Sequence, residues 1–244
     1  MKAYGLIGYP LTHSFSEKYF AEKFSREGIT DCSYQLFELK AIELLPQLLA
    51  AQPDLKGLNV TIPYKESVIA FLDEIDEETA RIGAVNVIKI ENGQTKGFNS
   101  DYQGFKKSLE NFLPPAAAIQ ALVLGTGGAS KAVNAALRHL HIPYKQVSRK
   151  PQADQLAYHD ISPAVLAAHQ LIINTTPLGT YPHTGTFPDL PYEALSPQHF
   201  LFDLVYNPAE TVFLQKGRQA GAHTQNGYEM LVLQAEAAWQ IWNS

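Results

Sequence analysis

The amino-acid sequence predicts an α/β fold, and two observations carry this prediction. Short apolar strands alternate with amphipathic helices, and one hairpin is marked by the Asn92-Gly93 step, a strong turn signal. Further along, the apolar run Ile119–Leu124 leads directly into a glycine-rich loop and then a helix. This order is the context that a dinucleotide-binding turn requires. A mostly parallel sheet is therefore expected.

Composition narrows the function classes. The chain has 244 residues, of which 45% are hydrophobic and 18% charged, as in ordinary globular proteins. The net charge of -5 argues against a nucleic-acid partner. Cys32 is the only cysteine, which excludes an internal disulfide and a cysteine metal cluster and suits a reducing compartment. No signal peptide and no membrane-spanning apolar run is recognised, so we expect a cytoplasmic protein without a bound metal or a membrane partner.

The elements of the first hundred residues follow from periodicity and from turn residues. Alternating and β-branched runs predict strands, and apolar residues at helical spacing predict helices. The predicted strands are Ala3–Gly8, Cys32–Glu38, Gly57–Thr61, Ile82–Lys89 and Thr95–Phe98. The predicted helices are Lys18–Glu27, Ala41–Ala50 and Glu66–Leu72, the last opened by Lys65. The acidic run Asp73–Glu78 is expected to be a solvated surface segment.

The later elements follow the same signals. Predicted helices are Tyr102–Phe112, Lys131–Leu140, Ser162–Ala168, Thr211–Ala220 and Tyr228–Trp242, and predicted strands are Ile119–Leu124, Tyr144–Val147, Gln170–Asn174 and Phe200–Val205. Pro114–Ala118 is a candidate hinge or boundary because prolines end the preceding helix. The proline-rich segment Tyr181–Pro197 is predicted to be a loop, which could act as a mobile flap over a cofactor.

The segment Gly57–Glu66 holds the first candidate site. Asn59, Thr61 and Lys65 are expected to face outward near the carboxyl end of a buried strand, where open α/β sheets bind ligands. Two neutral hydrogen-bonding groups could bind a polyol, and the amine could deprotonate it. Asp101, at the start of a predicted helix, could take part or could be only an N-cap.

Ser14 and Ser16 stand at another predicted helix start. Ser14 and Glu17 form the S-x-x-E pattern of a capping box. The serine hydroxyls and the free amides of a helix start could also bind a carboxylate. The two interpretations are compatible.

The glycine-rich loop predicts a nucleotide site. Gly125 would make the tight turn, and Gly127 would let a pyrophosphate approach the backbone. Ser130 takes the place of the third glycine. After the next strand come Ser148, Arg149 and Lys150, two cations without a carboxylate. An arginine at this point accommodates a 2′-phosphate, which favours NADP over NAD, although a surface basic pair is the alternative.

Over nearly its whole length the chain resembles the shikimate dehydrogenases. The motifs that carry the resemblance are GLIGYPLTHSFS, GLNVTIPYKE, GAVNVI, GFNSD, LGTGGAS, NTTPLG, DLVYNP and GYEMLVLQA. The family usually has proline after the second serine and a His-Asn pair soon after, whereas this chain has Glu17 and Tyr19-Phe20. It also has Ser148-Arg149-Lys150 in place of the common Asn-Arg-Thr.

The resemblance implies reversible, NADP-dependent reduction of 3-dehydroshikimate to shikimate in aromatic amino-acid biosynthesis. It implies two domains: a discontinuous α/β substrate domain, residues 1–100 plus 226–244, and a Rossmann-like NADP domain, residues 101–225. Lys65 and Asp101 would be the catalytic pair. The implied substrate ligands are Ser14, Ser16 and Tyr206 for the carboxylate, and Asn59, Thr61, Asn86, Asp101 and Gln234 for the ring hydroxyls. The implied cofactor ligands are Gly125, Thr126, Gly127, Gly128, Ala129, Ser148, Arg149, Lys150, Leu204 and Gly227.

Three other interpretations compete with this one. An NAD-dependent quinate/shikimate dehydrogenase is disfavoured by the basic cluster, and a catalytically silent sensor by the presence of both Lys65 and Asp101. The third is a generic nucleotide-binding domain whose motifs are accidental. The enzyme could be a monomer or a homodimer.

Overall fold

A computed structural model describes residues 1–11, 14–115 and 119–244. Part of the predicted hinge, Ala116–Ala118, and two residues of the first family motif, Thr12 and His13, lie outside the described residues. The chain divides into two compact units, Met1–Ser100 with Gln234–Ser244, and Asp101–Leu233. Each unit has its own six-stranded sheet.

The sheet of the first unit is mixed. Its strands are β1 (Lys2–Gly8), β2 (Cys32–Glu38), β3 (Leu55–Val60), β4 (Glu74–Ile75), β5 (Val87–Glu91) and β6 (Gln94–Phe98). They lie in the order β2-β1-β3-β5-β6-β4. The pairs β1–β2, β1–β3 and β4–β6 are parallel, whereas β5 is antiparallel to both of its neighbours. The β5–β6 hairpin turns at Asn92 and Gly93, both with positive φ, as the Asn-Gly signal predicts.

Apolar side chains cover this sheet in two clusters. One contains Ile7, Leu58 and Ile88, with the short helix α2 (Leu45–Ala51) among the covering elements. The other is aromatic and brings together α1 (Phe15–Glu27) and the end of the last helix, α8 (Tyr228–Asn243). In it Trp242 stacks on Tyr4 at 4.8 Å between ring centroids and donates its indole N–H to the carbonyl of Ile88 at 3.0 Å.

The prediction of a helix at Glu66–Leu72 was wrong. The segment contains a five-residue 3-10 helix, Ser67–Phe71, and Lys65 lies in the turn before it. The acidic run is exposed or half-exposed, as expected, and it also contains β4 and the start of α3 (Glu77–Ile82). Asp76 caps α3 by accepting from the Thr79 amide at 3.1 Å, and acidic residues in a first helical turn are stabilised by the helix dipole.

The second unit has the strand order of a dinucleotide-binding fold. Its strands are β7 (Ala121–Leu124), β8 (Tyr144–Ser148), β9 (Leu156–Ala157), β10 (Leu171–Asn174), β11 (Phe200–Asp203) and β12 (His223–Gln225). The order β9-β8-β7-β10-β11-β12 is 3-2-1-4-5-6 within the unit, and every pair is parallel. The predicted α/β, mostly parallel fold is confirmed.

The helices of this unit are α4 (Ser100–Phe112), α5 (Gly128–His139), α6 (Pro163–Ala168), α7 (Val212–Gln219) and the first turns of α8. Strands β7 and β10 are wholly buried, as expected of a sheet covered on both faces. The predicted loop Tyr181–Pro197 contains one 3-10 turn, Tyr192–Ala194, and the Lys216 ammonium lies 5.1 Å from the Tyr192 ring centroid. Its motion as a flap stays a prediction.

Both boundaries between the units fall inside helices. The first lies at Ser100, as in the predicted domain division. The second lies after Leu233, inside α8, rather than at residue 226. The early part of α8 belongs to the second unit because Met230 is buried in its core and Glu229 accepts from Ser108 at 2.9 Å. The assignment of the two units as substrate and cofactor domains stays a prediction. Among the described residues, no helix is long and apolar enough to cross a membrane.

Candidate active site

The serines predicted to bind a carboxylate lie at the start of α1. Ser14 is the N-cap, with extended backbone, and its hydroxyl accepts from the Glu17 amide at 3.3 Å. The capping interpretation of Ser14 is therefore confirmed. Ser16 is the second residue of α1, which begins at Phe15, before the predicted Lys18. Both serines are partly exposed, so their role toward a carboxylate stays a prediction.

Asn59, near the end of β3, is buried rather than facing outward as predicted, with 5% of its surface exposed. Its Oδ1 accepts from the Tyr34 hydroxyl at 2.7 Å, and its Nδ2 donates to the carbonyl of Asn86 at 3.4 Å. The side chain of Asn59, a predicted substrate residue, is thus held between Tyr34 on β2 and the backbone of Asn86.

A second chain of hydrogen bonds contains Asn86, Ser100 and Gln234, all buried. Asn86 Oδ1 accepts from the Ser100 amide at 2.6 Å, and Asn86 Nδ2 donates to the Ser100 hydroxyl at 3.0 Å. That hydroxyl donates in turn to Gln234 Oε1 at 3.4 Å. Gln234 was predicted from the resemblance, but Ser100 was not. The polar Asn99-Ser100-Asp101 run at a helix start was the available signal.

Thr61 and Lys65 lie beyond the carboxyl end of β3, and both are partly buried. The chain is fixed on each side of them, because the Thr61 amide donates to the carbonyl of Ile7 at 2.9 Å and the Lys65 carbonyl accepts from the Val85 amide at 2.7 Å. Asp101 is the second residue of α4, so it is not the N-cap of this helix. It follows Ser100, whose amide is held by Asn86.

The glycine loop of the second unit joins β7 to α5. Gly125 has a φ of 111°, which favours glycine, and a side chain there would come within 2.8 Å of the Thr175 hydroxyl. Gly127, the N-cap of α5, has open space where a Cβ would stand. Ser130 is buried, and its hydroxyl donates to the Gly127 carbonyl at 2.7 Å. The loop and helix start therefore leave room for an anion at backbone amides.

The loop lies at the switch point of the sheet. Strands β7 and β10 are neighbours whose crossover connections run in opposite directions, which is where doubly wound sheets bind ligands. Thr175, after β10, donates its hydroxyl proton to the Leu124 carbonyl at 2.7 Å. The ends of both strands are thereby held together. This placement fits a dinucleotide.

The residues predicted to bind a 2′-phosphate lie at the end of β8 and directly after it. Ser148 is buried, and its hydroxyl accepts from the Lys150 amide at 3.1 Å, which forms a tight turn. Arg149 and Lys150 are exposed. Burial raises the pKa of Tyr158, and the Arg149 charge opposes this rise. A guanidinium and an ammonium at this strand end fit a phosphate ester.

A buried polar network supports the strand ends next to the glycine loop. Asp203 is wholly buried and accepts from Asn174 Nδ2 at 2.9 Å, from the Val205 amide at 3.0 Å and from the Thr211 hydroxyl at 2.6 Å. Burial raises the pKa of Asp203 to about 6, although these three hydrogen bonds act in the opposite direction. Sequence reasoning placed Asp203 in a family motif but gave it no role.

Leu204 and Gly227, both predicted near a nicotinamide, are brought together. The Leu204 amide donates to the carbonyl of Asn174 at 3.0 Å. A Cβ on Gly227 would overlap the Leu204 carbonyl, so only glycine fits there. Tyr206 is 37% exposed, and the burial of the rest of its side chain raises the pKa of its phenol. Its predicted contact with a carboxylate stays a prediction.

Comparisons with known proteins agree with these features. The family model for the shikimate dehydrogenase substrate binding domain matches residues 6–88. The shikimate dehydrogenase (NADP(+)) of Methanococcus maripaludis strain C6 is 36% identical over 255 residues, covering 99% of this chain and 91% of the relative.

Solved structures give the same result. A chorismate mutase/shikimate 5-dehydrogenase fusion protein from Clostridium acetobutylicum is 37% identical, with a TM-score of 0.89 over 100% of this chain and 91% of that one. The shikimate 5-dehydrogenase of Thermus thermophilus, solved with NADP(H) and shikimate, is 31% identical, with a TM-score of 0.88 over 99% and 93%.

Proposed function

The chain belongs to the shikimate dehydrogenase family, and we propose that Lys65 and Asp101 handle the proton in its reaction. That reaction is the reversible, NADP-dependent reduction of 3-dehydroshikimate to shikimate. Reduction of the C3 ketone develops negative charge on its oxygen, which must also receive a proton. The Lys65 ammonium would donate this proton and, in the reverse direction, the neutral amine would accept it. A positioned proton donor is worth roughly 10²–10⁴-fold in rate.

One observation supports this role of Lys65 above the others. The residue stands on a fixed turn beyond the carboxyl end of β3, with its own carbonyl and the Thr61 amide both hydrogen-bonded to neighbouring segments. A side chain on such a turn is placed reproducibly, which proton transfer over a hydrogen-bond distance requires. Asp101 would orient the reacting hydroxyl by accepting from it.

The substrate ligands follow the same pattern. The Ser14 and Ser16 hydroxyls, with Tyr206, would bind the carboxylate, and Asn59, Thr61, Asn86, Asp101 and Gln234 would bind the ring hydroxyls. Support comes from the two buried chains of hydrogen bonds, because Asn59, Asn86 and Gln234 are held in defined orientations. Buried polar groups that are held in this way discriminate strongly between ligands that can and cannot pair with them.

The second unit would hold NADP, which supplies the hydride when bound. The amides of Gly125, Thr126, Gly127, Gly128 and Ala129 would bind its pyrophosphate at the start of α5. The Ser148 hydroxyl and the Arg149 and Lys150 cations would bind the 2′-phosphate. Leu204 and Gly227 would lie beside the nicotinamide, and their close packing would keep this side of the binding site rigid. NADP as the cofactor fits the open space over Gly127 and the cations after β8.

We further propose a cytoplasmic enzyme that acts as a monomer or homodimer, without nucleic-acid partners. The support is the net charge of -5 and the free thiol of Cys32, the only cysteine in the sequence.

The test of the Lys65 role is Lys65→Ala, assayed with shikimate and NADP by the absorbance of the reduced cofactor. We expect kcat to fall by roughly 10²–10⁴-fold while the KM for shikimate changes little. Added small primary amines should restore part of the rate, because they can supply the missing proton donor. Lys56→Ala, which removes an exposed lysine from β3, the strand that precedes the Lys65 turn, is the matched control. An unchanged kcat in Lys65→Ala would remove Lys65 from the proton step.

A further inference from the structure

The reaction chemistry does not itself require the Tyr34 hydroxyl, which is hydrogen-bonded to a predicted substrate residue. Tyr34 lies on β2 and donates to Asn59 Oδ1 on β3 at 2.7 Å. The proposed function gives Asn59 a role toward a ring hydroxyl of the substrate.

The direction of these hydrogen bonds is fixed by the backbone. The carbonyl of Asn86 can only accept, and it lies 3.4 Å from one end of the Asn59 amide, which must therefore be the Nδ2 donor. The other end is then Oδ1, and the Tyr34 hydroxyl has to donate to it.

Packing holds the phenol in this place. The Tyr34 ring stacks on Phe20 at 4.6 Å between centroids, with 17° between the ring planes. Phe20 is wholly buried on α1, in the aromatic cluster that also contains Trp242. Burial raises the pKa of Tyr34. The phenol therefore keeps its proton and remains a donor to Asn59 at any physiological pH.

We infer that Tyr34 is a positioning residue for shikimate, which together with the Asn86 carbonyl holds the Asn59 side chain with its oxygen inward and its Nδ2 as the donor toward the substrate. This inference rests on the proposed function, because it takes Asn59 to be a substrate ligand. Without the Tyr34 hydroxyl, the Asn59 oxygen would lose its partner, and only the 3.4 Å contact with the Asn86 carbonyl would hold the amide. An amide held by that contact alone would be oriented less firmly for its hydrogen bond with the substrate.

The test is Tyr34→Phe, which keeps the stacked ring and removes only the hydroxyl. One neutral hydrogen bond corresponds to roughly a 2- to 13-fold change in an equilibrium constant, so we expect the KM for shikimate to rise by that factor. The kcat and the KM for NADP should stay within about twofold of the parent values. Tyr64→Phe is the matched control, since it removes another tyrosine hydroxyl of the same unit, one that donates to the Leu39 carbonyl at 2.5 Å.

A double-mutant cycle with Asn59→Ala decides how Tyr34 acts. If Tyr34 works through Asn59, Tyr34→Phe adds no further rise in KM once Asn59 is alanine. The inference is overturned if Tyr34→Phe leaves the KM unchanged in the parent, or raises it equally in both backgrounds. If Asn59→Ala itself leaves the KM unchanged, the substrate role of Asn59 fails and the inference fails with it. The Lys65→Ala result is independent of all these outcomes.

Discussion

Asp203→Asn should change how the stability of the second unit depends on pH. Burial raises the pKa of the Asp203 carboxyl from 3.8 to about 6 in the folded protein. The native state therefore binds the proton more tightly than the unfolded state does. The stabilisation from this group is fully present below the unfolded pKa and is lost as the pH rises through about 6. Asparagine cannot ionise, so the variant should not show this loss.

The magnitude follows from the two pKa values. The difference between 3.8 and about 6, at about 1.4 kcal/mol for each pKa unit, is worth about 3 kcal/mol. No reduction for solvent screening applies, because Asp203 has 0% of its surface exposed. The free energy of unfolding of Asp203→Asn, minus that of the parent, should thus rise by about 3 kcal/mol from acid to neutral pH.

The assay is denaturant unfolding of both proteins across this pH range. Circular dichroism is the appropriate probe. Tryptophan fluorescence would not report the unfolding of the second unit, because Trp239 and Trp242 both lie in the first. Asp73→Asn is a control of opposite sign. Hydrogen bonds from the amide and hydroxyl of Thr95 lower the pKa of Asp73, so its stabilisation is lost as the pH falls. A difference between Asp203→Asn and the parent that is constant with pH would refute the reasoning.

Two other substitutions test the cofactor side of the site. Arg149→Ala should weaken NADP binding far more than NAD binding, because only NADP carries the 2′-phosphate; equal losses in KM for the two cofactors would contradict this role. Gly227→Ala should lower the free energy of unfolding by about 1–3 kcal/mol, since its methyl group would overlap the Leu204 carbonyl and force the chain to shift. A parent-like unfolding curve for Gly227→Ala would show that the contact relaxes at little cost.

Local signals predicted most elements of the fold, and the exceptions have identifiable causes. The turn at Asn92-Gly93, the strand before Gly125 and the cap at Ser14 all depend on neighbouring residues alone. The acidic run lies at the surface as expected, but the helix that begins there at Asp76, with acidic residues in its first turn, was not predicted. Short strands such as β4 have too few residues for a periodic pattern.

The candidate site was predicted less completely, because its partners are distant in sequence. The position of Asn59 on its strand was evident, but its hydrogen-bond partner Tyr34 lies 25 residues earlier. Ser100 looked like part of a helix start, whereas its hydroxyl joins Asn86 to Gln234, 134 residues later. Such pairs are set by the tertiary fold, and no local periodicity in the sequence encodes them.

The departures from the family pattern in α1 have a structural use in this chain. Tyr19 donates to Glu236 on α8, and Lys23, of which only 4% is exposed, binds the same carboxylate at 2.8 Å. Phe20 stacks on Tyr34. The face of α1 that presents Ser16 is therefore held at two points, by a charged pair against α8 and by an aromatic stack against β2. The start of α1, where Ser14 and Ser16 lie, is thus part of a helix that is packed against α8 close in sequence to Gln234.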